Sequence, residues 1–451
     1  MGERVAVEAG GTMIKVSDNK RFLTYDDGRP FFYLGDTAWE LFHRLTREEM
    51  AAYMENRSAK RFTVIQAVIL AEMDGLEEPN AYGDVPLRRN ASAAFDPMLP
   101  AVDPDGYDYW QHVDYAVDLA ASLGLVMGLV PTWGDKVTLG NPYAKGPELF
   151  AADNARAFGR YVGARYKACP NIVWILGGDR NPDTKLAVWR AMAEGLREGD
   201  GGSHLITYHP LGGYSSSIWF HHDEWLDYHT NQSGHGARHL DNYNMIAKDY
   251  HLHPPKPTFD GEPRYEGHSV NWNETAGYFT DDDIRQAAYW AVLAGAFGHT
   301  YGHTSVWQLF EPGRPAYSGA KLHWREALDS PGAEQMRHFR ALFESRPFLR
   351  LVPDQQLLVD PLVGSDHIRA ARGDDYIYAY SSTGQSFELR MGRIPGSLVQ
   401  GHWYDPRTGQ STALAERTAN RGIARFTPPT SGIGQDWVLI LDADEEGDCV
   451  V

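Results

Sequence analysis

Short apolar runs alternate with longer stretches of helical spacing over the first three quarters of the chain. Residues 31–34, 62–70, 125–130 and 172–176 are rich in β-branched and aromatic side chains, as strands buried on both faces are. Residues 205–208, 226–230, 257–262 and 298–307 continue the series. Between them, segments such as 109–123 and 154–169 place apolar residues at helical intervals, and Thr46 with Glu49 reads as a capping box opening a helix. Eight strands alternating with helices predict an α/β fold, a (β/α)8 TIM barrel with long loops on one face. A doubly wound parallel sheet is the alternative. It would normally carry a glycine-rich phosphate turn after its first strand, which Gly35-Asp36-Thr37 does not supply.

The pattern changes at both ends. Residues 1–30 read as an N-terminal β-hairpin extension, turned at Asp26-Asp27-Gly28 to make a small lid ahead of the barrel. The barrel is expected over 31–347. Beyond Arg346-Pro347, short alternating runs such as Tyr376-Ile377-Tyr378-Ala379-Tyr380 predict a small all-β sandwich over 348–442. Residues 443–451 form an acidic tail expected to lack structure.

Strand ends carry the candidate chemistry. The run 172–176 stops in Gly177-Gly178, presents Asp179 and Arg180, and is closed off by Asn181-Pro182. Barrel enzymes keep their catalytic groups at the carboxyl ends of strands, although a strand-end aspartate also serves as a helix cap. Glu262, between Gly261 and Pro263, ends the seventh strand, and strands four and seven face each other across a barrel mouth. Two carboxyl groups so placed suit glycoside hydrolysis: one protonates the leaving oxygen, the other attacks or activates water. Arg180, Arg264 and Tyr265 are neighbours that could hold one carboxylate ionised, while burial keeps the other protonated.

Further strand-end groups are candidates for substrate contact. They are Asp36 and Trp39 after strand one, Gln66, Trp133 and Asp135 from strands two and three, and Arg180 beside Asp179. Tyr208 and His209 follow strand five, Asn231 and Gln232 strand six, and Tyr301, His303 and Trp307 lie near strand eight. Capping and core packing are the competing accounts, above all for Asp36, Asn231, Gln232 and Trp307.

Composition narrows the classes. The chain has 13 Trp and 24 Tyr, more than a core needs, and sugar rings stack on such side chains. A net charge of -18 argues against nucleic acid as a partner. No long apolar run predicts a membrane span. The first residues lack the apolar core of a signal peptide, so the cytoplasm is expected, or the periplasm or exterior if a leader has been removed. Cys169 and Cys449 have neither metal spacing nor a disulfide framework. Among 18 histidines the densest groups are His221-His222 and His251-Leu252-His253. Barrel metallohydrolases place an His-x-His pair after strand one, where this chain has Gly35-Asp36, so neither metal nor cofactor is expected. There is no Gly-x-Ser-x-Gly elbow, and the run Ser215-Ser216-Ser217 reads as loop. Nothing in the sequence signals an oligomeric state.

From about residue 14 to residue 441 the chain resembles the apiosidase-like glycoside hydrolases, barrels followed by a β domain once described as collagen-binding. The residues carrying the resemblance are Phe32-Tyr33-Leu34-Gly35-Asp36-Thr37-Ala38-Trp39-Glu40-Leu41, the strand from Trp174 to Asp179, and Asp260-Gly261-Glu262-Pro263. Gly401-His402-Trp403-Tyr404-Asp405-Pro406 carries it in the β domain. The resemblance implies a retaining mechanism with Asp179 as acid/base and Glu262 as nucleophile, and a group at Tyr208 or His209 that orients the nucleophile. Many related barrels have Asn-Glu at the strand-four position; Gly178-Asp179 departs from that wider pattern and agrees with the apiosidase-like one. The implied substrate is an apiosyl linkage of the pectin rhamnogalacturonan II. That pectin is polyanionic and so is this chain, so either Arg180 and Arg264 meet its acids or the substrate is a small neutral glycoside. Another β-glycosidase or pentofuranosidase is the enzymatic alternative. A carbohydrate- or polymer-binding protein is the non-catalytic one, although a binding module would not require both carboxylates at opposed strand ends.

Overall fold

The computed structural model describes residues 13–140 and 146–444. Eight parallel strands form a barrel: β1 (Tyr33–Thr37), β2 (Val64–Leu70), β3 (Val126–Thr132), β4 (Ile172–Gly177), β5 (Ile206–His209), β6 (His229–Gln232), β7 (Thr258–Asp260) and β8 (Gly298–Tyr301). The ladder runs β5-β4-β3-β2-β1-β8-β7-β6. It closes between β5 and β6 at their amino ends, where the Asp227 N–H donates to the Ile206 carbonyl (2.9 Å) and the Thr207 and Thr230 hydroxyls meet at 2.8 Å. Towards the carboxyl ends the strand Tyr214–Ser215 lies antiparallel on β6 instead. The sheet is thus splayed at its mouth on that side.

A helix follows each strand, as the alternation predicts. After the first strand and a single turn, Leu41–Arg44, the helix Arg47–Ala59 has the expected capping box: the Glu49 N–H donates to Thr46 Oγ1 (3.3 Å) and the Thr46 N–H to Glu49 Oε2 (3.0 Å). The fifth is a single turn, Ser217–Phe220. The expected strand over 226–230 sits later, at β6, because its last residues are the polar Asn231 and Gln232, which an apolar pattern passes over. The expected strand over 298–307 divides into β8 and a helical turn, Thr304–Trp307. The N-terminal strands Ile14–Val16, Leu23–Tyr25 and Pro30–Phe31 form a small antiparallel sheet. Their Ile14, Leu23 and Phe31 share one core with Val64, Val126 and Val173 from the amino ends of barrel strands. They lie at that end of the barrel and are not among the residues that line the mouth.

The C-terminal domain is all β. A sheet of antiparallel strands is built on Tyr376–Ser381, Trp437–Ala443 and Leu398–Tyr404, and the pair Phe387–Arg390 and Ile423–Phe426 covers one face. Alternation along the central strands divides the burial. Ile377, Ala379, Leu439, Leu441 and Trp403 face that pair, while Tyr376, Tyr378, Tyr380, Val438, Ile440 and Tyr404 join the barrel's core. Asp442 belongs to the last strand, and Arg346 pairs with it (2.6 Å). From residue 445 on, the acidic tail lies outside the described residues.

The contact between the domains is a true core. Tyr289 stacks on Tyr380 with centroids 4.7 Å apart, and the Tyr404 hydroxyl donates to the His338 carbonyl (2.8 Å). Arg285 makes a buried ion pair with Asp436 (2.7 Å). Deleting everything after Pro347 would expose these aromatic faces and remove Asp436, leaving Arg285 only Asp281 and Gln335, so the truncated barrel is expected to be insoluble or inactive. A soluble truncation with full activity would contradict this structural role.

Candidate active site

The barrel mouth holds a cavity of about 600 Å³, of the size that suits a small ligand. Trp39, Trp133, Trp272, Trp307 and Tyr265 supply apolar walls, and Asp179 and Glu262 line it together. At the end of β4 the chain turns through three consecutive left-handed residues, Gly177, Gly178 and Asp179 (φ 89°, 114° and 51°). Side chains would not fit at the two glycines. A Cβ on Gly177 would lie 2.3 Å from the His209 carbonyl oxygen, and one on Gly178 would lie 2.5 Å from the Trp133 ring. The turn delivers Asp179 to the cavity in a conformation aspartate tolerates better than most residues, local strain of the kind functional sites store. Gln232 Nε2 donates to its Oδ1 (2.8 Å).

Glu262 is set by the end of β7. The Gly261 N–H donates to the Asn231 carbonyl (2.8 Å), and Asp260 accepts from the Ser233 N–H (3.1 Å) and hydroxyl (2.6 Å), fastening the loops after β6 and β7 together. Two histidines hold the Glu262 carboxylate, one per oxygen. His209 Nε2 lies 3.0 Å from Oε2 and His235 Nε2 3.0 Å from Oε1. The other nitrogen of His209, Nδ1, faces the Pro210 carbonyl at 3.1 Å, so both ring nitrogens meet acceptors and the imidazolium is favoured.

The two carboxyl groups are pushed apart in acidity. Burial raises Asp179 above the usual carboxylate range and the charge of Glu262 raises it further; His209, Gln232 and Arg180 offset only part of this. Burial would also lift Glu262, but hydrogen bonds and charge from His209 and His235 outweigh it and hold the group well below that range. His209 moves up: burial disfavours its cation, and Glu262, Asp179 and the Pro210 carbonyl more than compensate. Ligand atoms of Asp179, His209 and Glu262 all lie within 4.8 Å of one another. This trio is the group of described residues with metal-ligand proximity, and both ring nitrogens of His209 are engaged, with Glu262 and with the Pro210 carbonyl.

Comparison with known proteins decides the family. The family described as "Apiosidase-like, catalytic domain" matches residues 17–350. The chain belongs to the apiosidase-like glycoside hydrolases. Residues 352–442 match the family described as "Putative collagen-binding domain of a collagenase". A solved structure titled a glycoside hydrolase is 33% identical, covers 99% of this chain and 100% of its own, and superimposes with a TM-score of 0.88. A glycoside hydrolase family 5 structure from Bacteroides vulgatus is 31% identical over 97% of this chain and 95% of its own, TM-score 0.89. A family 5 mannosidase from Rhizomucor miehei, at 15% identity, 74% and 98% coverage and TM-score 0.50, shares the fold alone. No curated protein matches. The protein is therefore a glycoside hydrolase, an enzyme acting on carbohydrate. No helix among the described residues is long and apolar enough to cross a membrane.

Within this apiosidase-like site the candidate contact residues separate into two groups. Trp39, Trp133, Gln232 and Trp307 line the cavity, and His209 touches Glu262 behind it. The others are engaged elsewhere. Asp36 forms a fully buried ion pair with Arg57 (2.5 Å) and accepts from the Tyr53 hydroxyl. Gln66 donates to the Tyr33 and Thr300 hydroxyls inside the barrel, and Asp135 pairs with Lys136 (2.8 Å). Asn231 donates to Asp249 and Thr258, the Tyr301 hydroxyl to Glu266, and His303 Nδ1 caps the Ser305 N–H. The Tyr208 hydroxyl donates to the Arg180 carbonyl. Arg180 donates from Nη1 to its neighbour Asp179's carbonyl and from Nε to the Thr138 carbonyl, and its Nη2 stands 3.6 Å from Glu72. Arg264 donates to Gln286 and does not hold Glu262, a correction: the two histidines take that part.

Sequence reasoning missed His235. Its signal is a histidine between two glycines, Gly234 and Gly236, just past β6, but only the fold brings it to Glu262. It also missed Trp272, half exposed at the rim beside His235 and His268, and Glu40 and Glu72 on the wall near β1 and β2.

Proposed function

We propose that the enzyme is a retaining glycosidase in which Asp179 is the acid/base and Glu262 the nucleophile. The observation that carries this is a pair of carboxyl groups with oxygens within 4.8 Å of each other in one cavity, where burial and the neighbouring charge raise the pKa of Asp179 and two histidines lower that of Glu262. Retaining enzymes keep the two groups about 5–5.5 Å apart, whereas inverting enzymes leave about 6.5–9.5 Å for a water between them. In the first step Asp179 gives its proton to the glycosidic oxygen while Glu262 attacks the anomeric carbon; the C–O bond breaks and a glycosyl ester forms. In the second, Asp179 takes a proton from water, whose oxygen attacks the same carbon and releases Glu262. His209 and His235 keep the nucleophile ionised and aimed throughout.

The substrate we infer is an uncharged terminal sugar, an apioside of plant cell-wall type. The family supports the sugar, and the wall chemistry supports its neutrality. No Lys or Arg stands among the described residues lining the cavity, Arg264 is turned to Gln286, the remaining nitrogen of Arg180, Nη2, faces the Glu72 carboxyl at 3.6 Å, and the acids Glu40 and Glu72 join the reacting pair. A uronate bound there would have no cation to meet it. A panel of aryl glycosides tests the reading. Apioside is expected to release its phenol fastest, ahead of arabinofuranoside, and the first-formed sugar should keep the substrate's anomeric configuration. Release of a sugar of inverted configuration, or preference for a uronide, would overturn it.

A further inference from the structure

Glu72 is a carboxyl group that none of these steps uses. It follows β2 and lines the same cavity, with a side chain only 11% exposed. Its Oε1 is buried without a hydrogen-bond partner. Arg180 Nη2 stands 3.6 Å away, beyond hydrogen-bonding range, and is itself unpartnered. Glu40 on the same wall is different: His43 lies 2.7 Å from its Oε2, and the Met73 N–H donates to its Oε1 (3.3 Å). Glu40 is thus part of the scaffold, whereas Glu72 keeps capacity the protein does not fill, in a place where buried polar groups are normally satisfied.

We propose that Glu72 is a specificity-determining residue that exchanges hydrogen bonds with a hydroxyl of the bound sugar. The assignment rests on the glycosidase reading of the cavity. The surroundings of Glu72 favour the uncharged carboxylic acid over the carboxylate. Burial pushes its carboxyl well above the usual range, and the charges of Asp179 and Asp135 add to this, with Arg180 opposing only in part. A neutral acid offers one donor and one acceptor, the complement of a sugar hydroxyl. It also puts no further negative charge beside Asp179, whose own proton is needed for catalysis.

The test uses the full-length enzyme and the aryl glycoside that the panel selects, with its monodeoxy analogues. Glu72→Ala is expected to lower kcat/KM about tenfold, mainly through KM, as loss of a hydrogen bond near the upper end of the usual range does. One monodeoxy analogue should cost the native enzyme about the same factor and cost Glu72→Ala nothing more, the non-additivity of groups in contact. Glu72→Gln, which has the same shape and both donates and accepts, should stay within about threefold of native. The proposal is overturned if Glu72→Gln falls as far as Glu72→Ala, which would mean a charged carboxylate is needed. It is equally overturned if no deoxy position couples to Glu72. In both cases the enzyme still cleaves its glycoside and the reading of Asp179 and Glu262 stands. An enzyme that cleaves no glycoside of the panel overturns both.

Discussion

Glu262→Ala is expected to leave almost no activity on any glycoside the native enzyme cleaves, whatever its leaving group. Removing the nucleophile removes the bond made in the first step, and no property of the departing alcohol replaces it. The loss should exceed the ~10⁴-fold upper limit usual for acid catalysis alone. It should not come from collapse of the site, because His209 remains tied to the Pro210 carbonyl and His235 remains stacked against His268 at 4.3 Å. Circular dichroism and thermal melting of the variant should therefore resemble the native protein. A variant that retains even a hundredth of native turnover would contradict the assignment.

Asp179→Ala should behave differently, and the difference identifies its role. A proton donor matters in proportion to how badly the leaving oxygen needs a proton. On a natural glycoside the expected loss is roughly 10²–10⁴-fold. On an aryl glycoside with an acidic phenol, the rate of glycosylation should fall far less. Deglycosylation, where Asp179 acts as base, then limits turnover, so a burst of phenol is expected. The raised pKa of Asp179 supports this role: burial and the Glu262 charge make its carboxyl hold a proton more tightly than an exposed aspartate does. Equal losses on both substrates would argue that Asp179 is not the acid.

The barrel was legible because its strands are short apolar runs and its turns are marked by glycine. Asp179 and Glu262 were legible for the same reason, each following glycine at the end of such a run, and both line one cavity. What the chain could not reveal was who pairs with whom. Asp36 looks like a strand-end ligand, but Arg57 and Tyr53 from the following helix consume it inside the barrel. Arg264, two residues from Glu262, looks like its counter-ion, yet its guanidinium reaches Gln286, while His235, 27 residues away, holds the carboxylate. Tyr404 and Trp403 differ by one residue and face opposite sides of the same sheet, one towards the barrel and one into the sandwich, as strand alternation requires. Periodicity gives that division of faces without saying which face meets which partner.

Azide rescue of the two alanine variants, with the product's configuration read by proton NMR, tests the division of labour between the carboxyl groups most directly. In Glu262→Ala the small anion can occupy the vacated space and attack the anomeric carbon from the side opposite the leaving group. The account predicts restored activity and a glycosyl azide of inverted configuration. In Asp179→Ala the glycosyl–Glu262 ester still forms, and azide should intercept it to give a glycosyl azide of retained configuration. Inverted azide from Asp179→Ala, with retained azide from Glu262→Ala, would contradict the account and exchange the two roles.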